Sequence, residues 1–209
     1  MDFAAARKVM VDSQVRVNDV TDRALQAALL AVPRERFLPE ARAYSAYAEI
    51  EPEIAAGRRL MLARDLSKLL MALNAAPGET ALAIAGPYAA AVLARRGLQV
   101  TAQEGDAAVF EVVGAVLADE GVDTVVAPLT TPVGENYDVM ISEAAVPGRP
   151  EAWLKALRVG GRLAVVERSG PVGKAVLYVR GEQGVSRREL FNAAPPVLAE
   201  LAPDPAFAL

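Results

Sequence analysis

The sequence predicts an α/β fold in which helices cover a doubly wound, mostly parallel sheet. The first observation is the segment 79–97, which reads ETALAIAGPYAAAVLARRG and has the pattern of a buried strand, a tight turn and an apolar helix. The second is a short apolar run at 98–102 that leads to Glu104. The third is the alternation of strand and helix patterns beyond it, because crossover helices join parallel strands. This order is typical of the nucleotide-binding half of a doubly wound domain.

The core elements follow from their apolar patterns. Residues 81–85 are predicted as a central strand buried on both faces, because five consecutive small or aliphatic residues suit such a position. The helix at 88–96 is expected to pack behind it. The later predictions are a helix at 106–119 with Asp106 as N-cap, strands at 122–127, 137–142 and 162–167, a helix at 150–157 stopped by Gly160-Gly161, and a hairpin of strands 175–180 and 186–191. The hairpin predicts an antiparallel edge, and the tail 193–209 is expected to fold back as another short edge.

The first third of the chain has helical rather than strand-like patterns. The predicted helices cover 3–17, 22–31, 40–47 and 63–75, with Thr21 as the N-cap of the second, and residues 49–60 are predicted as a loop or an edge hairpin. Pro77-Gly78 then punctuates the chain before the first core strand. We therefore expect an N-terminal helical extension at 1–76 and a sheet domain at 77–209, which together form one structural unit.

Composition restricts the available chemistry. The chain has 209 residues, a net charge of −4, a pI near 5.1, and neither cysteine nor histidine. Disulfides, thiolate catalysis and cysteine zinc sites are excluded, and the commonest general base and metal ligand is missing. An acidic chain is disfavoured as a nucleic-acid binder, and no apolar run approaches the ~20 residues of a membrane helix. We expect a cytoplasmic protein with no metal, nucleic-acid or membrane partner, and no signal peptide at its N-terminus.

Gly86 and Glu104 are the candidate cofactor-binding residues. In doubly wound folds the first strand-to-helix turn holds a cofactor, and an acid after the second strand accepts a ribose hydroxyl. The turn here has one glycine followed by Pro87, which has no N–H to offer. The alternatives remain open: Gly86 is also suited to a tight turn alone, and Glu104 to a solvated loop.

Five other side chains admit both a functional and a structural interpretation. Asp138 could orient a site but more often pairs within the fold, and Arg58 and Arg59 could bind an anion but are expected on a solvated face. Ser67 lies on a predicted helix and lacks a histidine to activate it, so we do not expect a nucleophile there. Trp153 is expected in the core or in an interface.

Several short motifs together are specific for one family. They are Met10-Val11 with Gln14, Pro33-Arg34 with Phe37 and Pro39, Ala46-Tyr47-Ala48, Pro77-Gly78-Glu79, YDVMISEAA at 137–145, and Leu157 with Gly160-Gly161-Arg162-Leu163. In this order they resemble the protein-L-isoaspartate O-methyltransferase family over nearly the whole chain. The resemblance implies the Rossmann-like fold of S-adenosylmethionine-dependent methyltransferases. It also implies a protein or peptide partner, because an active member methylates the carboxylate of an isoaspartyl residue.

The departures from the family pattern fall where the chemistry is expected. Residues 84–88, IAGPY, replace a glycine-rich cofactor loop and are about two residues shorter. Met61 stands at the position of the family's active-site serine, so no catalytic residue is assigned. Residues 127–129, Ala-Pro-Leu, replace a Gly-Asp-Gly whose acid lies near the adenine, whereas Glu104 is retained at the ribose position.

These departures leave the enzymatic activity open between three hypotheses. The first is a catalytically degenerate member, a pseudoenzyme with weak or no S-adenosylmethionine binding that acts as a binding or scaffold protein. The alternative is an active carboxyl methyltransferase that repairs isoaspartyl residues with S-adenosylmethionine. It remains chemically reasonable without histidine, because the substrate carboxylate is itself the nucleophile and positioning can suffice. The third is a different nucleotide binder on the same fold.

Overall fold

A seven-stranded sheet forms the centre of the molecule. The structure, a computed structural model, describes residues 1–202. The strands are β1 Glu53–Ala55, β2 Arg58–Arg59, β3 Thr80–Ile84, β4 Gln99–Glu104, β5 Asp123–Val126, β6 Tyr137–Val146, β7 Leu157–Glu167, β8 Gly173–Gly181 and β9 Gly184–Ala193. The large sheet has the order β5-β4-β3-β6-β7-β8-β9, with β3 to β7 parallel and the last two strands antiparallel. The predicted doubly wound sheet with an antiparallel edge is therefore confirmed.

The α-helices account for most of the remaining regular structure. They are α1 Phe3–Met10, α2 Arg23–Ala31, α3 Ala63–Leu73, α4 Pro87–Arg95, α5 Ala107–Asp119 and α6 Glu151–Ala156. Shorter π and 3-10 turns continue α1 and cover Arg34–Phe37, Glu40–Ser45 and Ala199–Leu201. The two short strands β1 and β2 form a separate antiparallel hairpin in the N-terminal extension. None of the helices in residues 1–202 is long and apolar enough to cross a membrane.

The unit formed by β3 and α4 matches its prediction. β3 lies between β4 and β6, and four of its five residues are buried. Ala89, Ala90 and Ala91 of α4 are fully buried, because their small side chains let the helix approach closely. Asp106 caps α5 as expected, and its carboxylate accepts a hydrogen bond of 2.9 Å from the Ala108 N–H.

Two local predictions are wrong, and two predicted helices differ in type. Asp22 rather than Thr21 caps α2, because its carboxylate accepts the Leu25 N–H at 3.0 Å. The Gly160-Gly161 pair does not stop a helix. It lies inside β7 after α6 has ended at Ala156, and the positive φ of 82° at Gly160 accompanies a register shift against β6. The predicted helices at 3–17 and 40–47 are present but differ in type: the first continues beyond Met10 as π and 3-10 turns, and the second is a 3-10 turn at Glu40–Ser45.

The N-terminal extension and the sheet share one apolar core. Its buried residues include Leu25 of α2, Phe37 of the first 3-10 turn and Leu70 of α3, together with Val139 of β6 and Ala164 of β7. This packing places the loop before α3 and the β1–β2 hairpin over the carboxyl ends of the central strands. The extension therefore contributes side chains to that edge of the sheet.

Candidate functional site

The candidate site lies at the carboxyl ends of β3, β4 and β6. The strand order reverses direction at β3, whose crossover through α4 leads to β4 on one side while β6 flanks it on the other. Ligands of open α/β sheets bind in the crevice at such a switch point. The turn from β3 into α4 is tight, because Ala85 adopts a positive φ of 51° and Gly86 is the N-cap of the helix.

Glu143 of β6 occupies the N-terminus of α4. Its carboxylate accepts a hydrogen bond from the Ala89 N–H at 2.8 Å and a longer one from the Met61 N–H at 3.4 Å. A Cβ on Gly86 would lie 3.3 Å from the Glu143 backbone nitrogen, so the glycine permits this close approach. Burial raises the pKa of Glu143, and the backbone N–H groups oppose that rise. The positive end of the helix, a ready anion site, is thus engaged by the chain's own carboxylate.

Glu104 is buried at the end of β4 and is paired with Arg58. The Arg58 Nε lies 2.9 Å from Glu104 Oε2, whereas Glu104 Oε1 has no hydrogen-bond partner within residues 1–202. Burial raises the pKa of Glu104 to about 7, against the lowering effect of the Arg58 guanidinium. The expectation that Arg58 is solvated is wrong. The β1–β2 hairpin folds over the sheet edge and buries this side chain on the acid.

Met61 is buried beside Glu143 and supplies backbone groups, while its side chain carries no hydroxyl. Its carbonyl accepts a hydrogen bond of 2.6 Å from Nη2 of Arg34, whose Nε donates to the Ala46 carbonyl at 2.8 Å. The Arg34 guanidinium is fully buried over the ring of Tyr88 on α4. Arg34 therefore connects separate segments of the extension to one another and to α4, the first helix of the sheet domain.

Sequence reasoning missed Glu143 and Arg34 as site residues. Both lie inside motifs that carry the family resemblance. The signal for Glu143 was a charged residue in the apolar run 139–146, at the carboxyl end of a predicted strand. A single arginine between Pro33 and Glu35 has no comparable signal, because its burial depends on tertiary packing.

The C-terminal tail crosses the same crevice. The Ala145 N–H donates to the Pro196 carbonyl at 2.8 Å, and the Leu198 N–H donates to the Ala145 carbonyl at 2.9 Å. Beyond them a Cβ on Gly105, after β4, would lie 2.8 Å from Glu200 Oε1. The tail therefore folds back as expected, but within residues 194–202 its pairing is a single parallel bridge between Val197 and Ala145 rather than an edge strand of the large sheet. Residues 203–209 lie outside the described part. The tail binds at the end of β6 because backbone groups of Ala145 remain available there.

Little open volume remains between these groups. A cavity of about 110 Å³ is lined by Arg58, Glu143, Leu198 and Glu200, among other residues. A larger, open groove of about 840 Å³ runs beside it between the β1–β2 hairpin region, the start of α3 and the end of β9. Arg59 lines this groove and is exposed, as expected.

The other singled-out residues are structural. Asp138 accepts hydrogen bonds from the backbone N–H and hydroxyl of Thr80 and pairs with Arg158, as the structural interpretation predicts. Ser67 donates to the Arg64 carbonyl within α3, and Trp153 is buried with its indole N–H on the Leu129 carbonyl. No cluster of three metal-ligating side chains occurs in residues 1–202.

Comparison with known proteins identifies the family. No family model matches the chain. A protein-L-isoaspartate O-methyltransferase of Methylorubrum extorquens (strain PA1) is 34% identical over 200 residues, which span 93% of this chain and 87% of that protein. Protein-L-isoaspartate O-methyltransferase 1 of Rhodopseudomonas palustris (strain HaA2) is 35% identical over 178 residues, or 82% and 71% of the two chains. The chain belongs to the protein-L-isoaspartate O-methyltransferase family.

Solved structures of family members share the fold. A Plasmodium falciparum protein described as a putative member, crystallised with S-adenosyl-L-homocysteine, superposes with a TM-score of 0.78 at 14% identity, over 93% of this chain and 98% of that one. A second protein-L-isoaspartate O-methyltransferase superposes with a TM-score of 0.73 at 20% identity, over 93% and 67% of the two chains. The Rossmann-like methyltransferase fold predicted from the sequence is confirmed.

In this conformation the polar groups expected to hold S-adenosylmethionine are engaged within the chain itself. The cavity of about 110 Å³ beside them is smaller than the volume of about 300–1,000 Å³ that is usual for ligand pockets. Arg58 pairs with Glu104, the carboxylate expected to bind the ribose. Glu143 accepts a hydrogen bond from the N-terminus of α4, next to Gly86. Gly86 and Glu104 therefore lie at the same crevice, and their role in binding a cofactor stays a prediction.

Proposed function

We propose that this family member binds S-adenosylmethionine weakly or not at all and acts as a cytoplasmic protein-binding or scaffold protein. The carrying observation is that Arg58 and Glu143 engage the two groups expected to anchor the cofactor, which are Glu104 and the N-terminus of α4. Methyl transfer to an isoaspartyl peptide is then absent or very slow. A crevice filled by the chain's own polar groups resists a ligand, because their hydrogen bonds must be broken before binding.

Two further observations support the loss of activity. Met61 offers no hydroxyl at the serine position, and its backbone groups are already bound by Glu143 and Arg34. After β5, Leu129 is buried and its carbonyl accepts the indole N–H of Trp153, in a segment where the family has an acid. Neither Met61 nor Leu129 has a polar side chain to offer a cofactor or a substrate.

The open groove supports a protein partner. Three large apolar side chains on its lining, Tyr44, Ile50 and Val172, are exposed by 66%, 50% and 60%. Exposed apolar residues that are grouped and rimmed by charges are typical of protein interaction sites. Arg59 and Asp65 supply charges on the lining of this groove.

The second candidate is an active methyltransferase that repairs isoaspartyl residues with S-adenosylmethionine. It is favoured by the relatives, which carry that name at 34% and 35% identity, and by the retention of Glu104 at the end of β4. In that reaction the substrate carboxylate attacks the methyl group of the sulfonium, so the protein needs only to bind and orient. The absence of histidine does not decide between the two candidates.

Calorimetric titration of the full chain with S-adenosylhomocysteine separates the two candidates. The proposed function predicts a dissociation constant well above micromolar, which corresponds to a binding free energy weaker than about −8 kcal/mol. A radiolabelled methyl-transfer assay with an isoaspartyl peptide should give turnover far below the ~10 per second that is typical of enzymes. Micromolar binding together with turnover near ~10 per second would establish the active enzyme instead.

A further inference from the structure

We propose that residues 196–201 form an intrasteric plug, a segment of the chain that closes the crevice reversibly and whose release opens it to S-adenosylmethionine-type ligands. This inference rests on the proposed function and deepens it: besides Arg58 and Glu143, the tail closes the crevice, and it does so reversibly. The tail passes over the switch point, from the end of β6 to the end of β4.

The backbone of the tail holds it on β6. Ala145 exchanges two hydrogen bonds with it, one with the Pro196 carbonyl and one with the Leu198 N–H. Together they form an isolated parallel bridge between Ala145 and Val197. The tail is therefore bound as a short strand would be, at a position beyond the end of β3.

Side chains of the tail fill the crevice itself. Leu198 is 2% exposed and belongs to the apolar cluster that contains Ala85 and Leu129, the residues of the loops after β3 and β5. Glu200 reaches the other side, where its carboxylate lies 4.0 Å from Nη2 of Arg58. The plug and the hairpin arginine thus meet over Glu104.

The closed arrangement leaves one strong acceptor unsatisfied. Oε1 of Glu104 is buried and has no partner within residues 1–202, although its other oxygen binds Arg58. A buried carboxylate oxygen without a donor is unfavourable, and a ligand hydroxyl that enters the crevice would relieve it. The tail also lies outside the seven-stranded sheet, so its release leaves every strand pair of that sheet intact.

The test is a Leu198→Asp variant of the full chain, with Val159→Asp as the control. Val159 is 49% exposed, so the same substitution there adds a charge without touching the crevice. Calorimetry with S-adenosylhomocysteine should show at least a tenfold tighter dissociation constant for L198D than for the parent or for V159D. Hydrogen exchange at the Ala145 and Leu198 amides should accelerate in L198D alone, because both amides donate across the plug contact.

Every outcome decides the proposal. If L198D folds and its two amides exchange fast but its affinity equals that of the parent, the tail does not close the site. If the amides stay protected in L198D and in the milder L198S, Leu198 does not hold the tail, and the proposal is also wrong. L198S replaces L198D if the aspartate variant does not fold. Micromolar binding by the parent chain refutes the proposed function itself, whereas an unresponsive variant of a non-binding parent refutes only the plug.

Discussion

The position of Glu104 was predicted from the sequence, but its protonation depends on residues that the fold brings around it. It ends β4 as the pattern predicts, but it is buried and shares the crevice with Arg58, Glu143 and Glu200. Burial outweighs the attraction of the arginine, so the carboxyl holds its proton to unusually high pH. Glu104 therefore titrates in the neutral range, and the pH dependence of the free energy of unfolding reports its burial.

The first prediction concerns the pH dependence of Glu104. Its pKa of about 7 lies above the value of 4.5 for a free glutamate, so the folded chain binds this proton more tightly than the unfolded chain. The stabilisation is complete below about 4.5 and is lost as the pH rises through 7. Between pH 4.5 and 8 the free energy of unfolding should fall by about 3 kcal/mol more in the parent than in Glu104→Gln. Parallel stability curves in urea would contradict it.

The second prediction concerns Arg34, the buried link between the extension and the sheet. Arg34→Ala leaves the Ala46 and Met61 carbonyls without this donor and empties the space over Tyr88. The loss should be at least about 2 kcal/mol, because each buried unsatisfied group costs about 1–3 kcal/mol. Arg36→Ala is the control in the same turn, since its exposed pair with Asp119 should contribute less than about 1 kcal/mol. Equal urea midpoints for the two variants would show that Arg34 carries no such role.

At the scale of the element, the α4 helix depends on small side chains. Ala89, Ala90 and Ala91 are fully buried in the core. Pro87 is the first residue of the helix. A proline there loses no hydrogen bond, because the first N–H groups of a helix lack intrahelical partners. At the start of the helix the Ala89 N–H donates to the carboxylate of Glu143 on β6.

The third prediction tests the packing of α4. Ala91→Phe should overpack the contact with the sheet and lower the free energy of unfolding by about 1–3 kcal/mol. Ala115→Phe on the exposed face of α5 is the control and should change stability by less than about 0.5 kcal/mol. Thermal or urea unfolding measures both. An A91F variant that melts with the parent would mean that α4 does not lie against β3 as described.

At the scale of the whole molecule, the extension and the sheet are joined by one core and by polar links. Arg34 lies over the ring of Tyr88 on α4, Arg58 pairs with Glu104 of β4, and the Met61 N–H donates to Glu143 of β6. A single cooperative transition is expected when elements share a core of this kind. The division of the chain at residue 76 remains a prediction about topology, and cooperativity tests whether the parts are one unit.

The fourth prediction is that both parts unfold together. A Val17→Cys variant can be labelled at one site, because the chain has no natural cysteine and Val17 is 66% exposed. The label reports the extension, while the fluorescence of Trp153, buried after β6, reports the sheet. Urea curves from the two probes should coincide. A labelled extension that unfolds at lower urea would show two separate cooperative units.

The sequence alone determined the order of elements, the doubly wound class and the family. Local apolar periodicity, turn residues and ordered motifs carry that information, and β3, α4 and the final hairpin lie where these signals put them. Two local predictions failed. The N-cap of α2 is Asp22, one residue after the predicted Thr21, and the Gly160-Gly161 pair allows a bend in a strand rather than ending a helix.

Only the tertiary structure decided what occupies the candidate site. Arg58 lies 46 residues from Glu104 in the chain, Glu143 lies 54 residues from Ala89, and Leu198 meets Ala145 from beyond the last strand. No local pattern distinguishes a buried arginine from a solvated one, because burial depends on which distant surfaces come together. The sequence located the crevice through Gly86 and Glu104, and the long-range packing of a hairpin and a tail closed it.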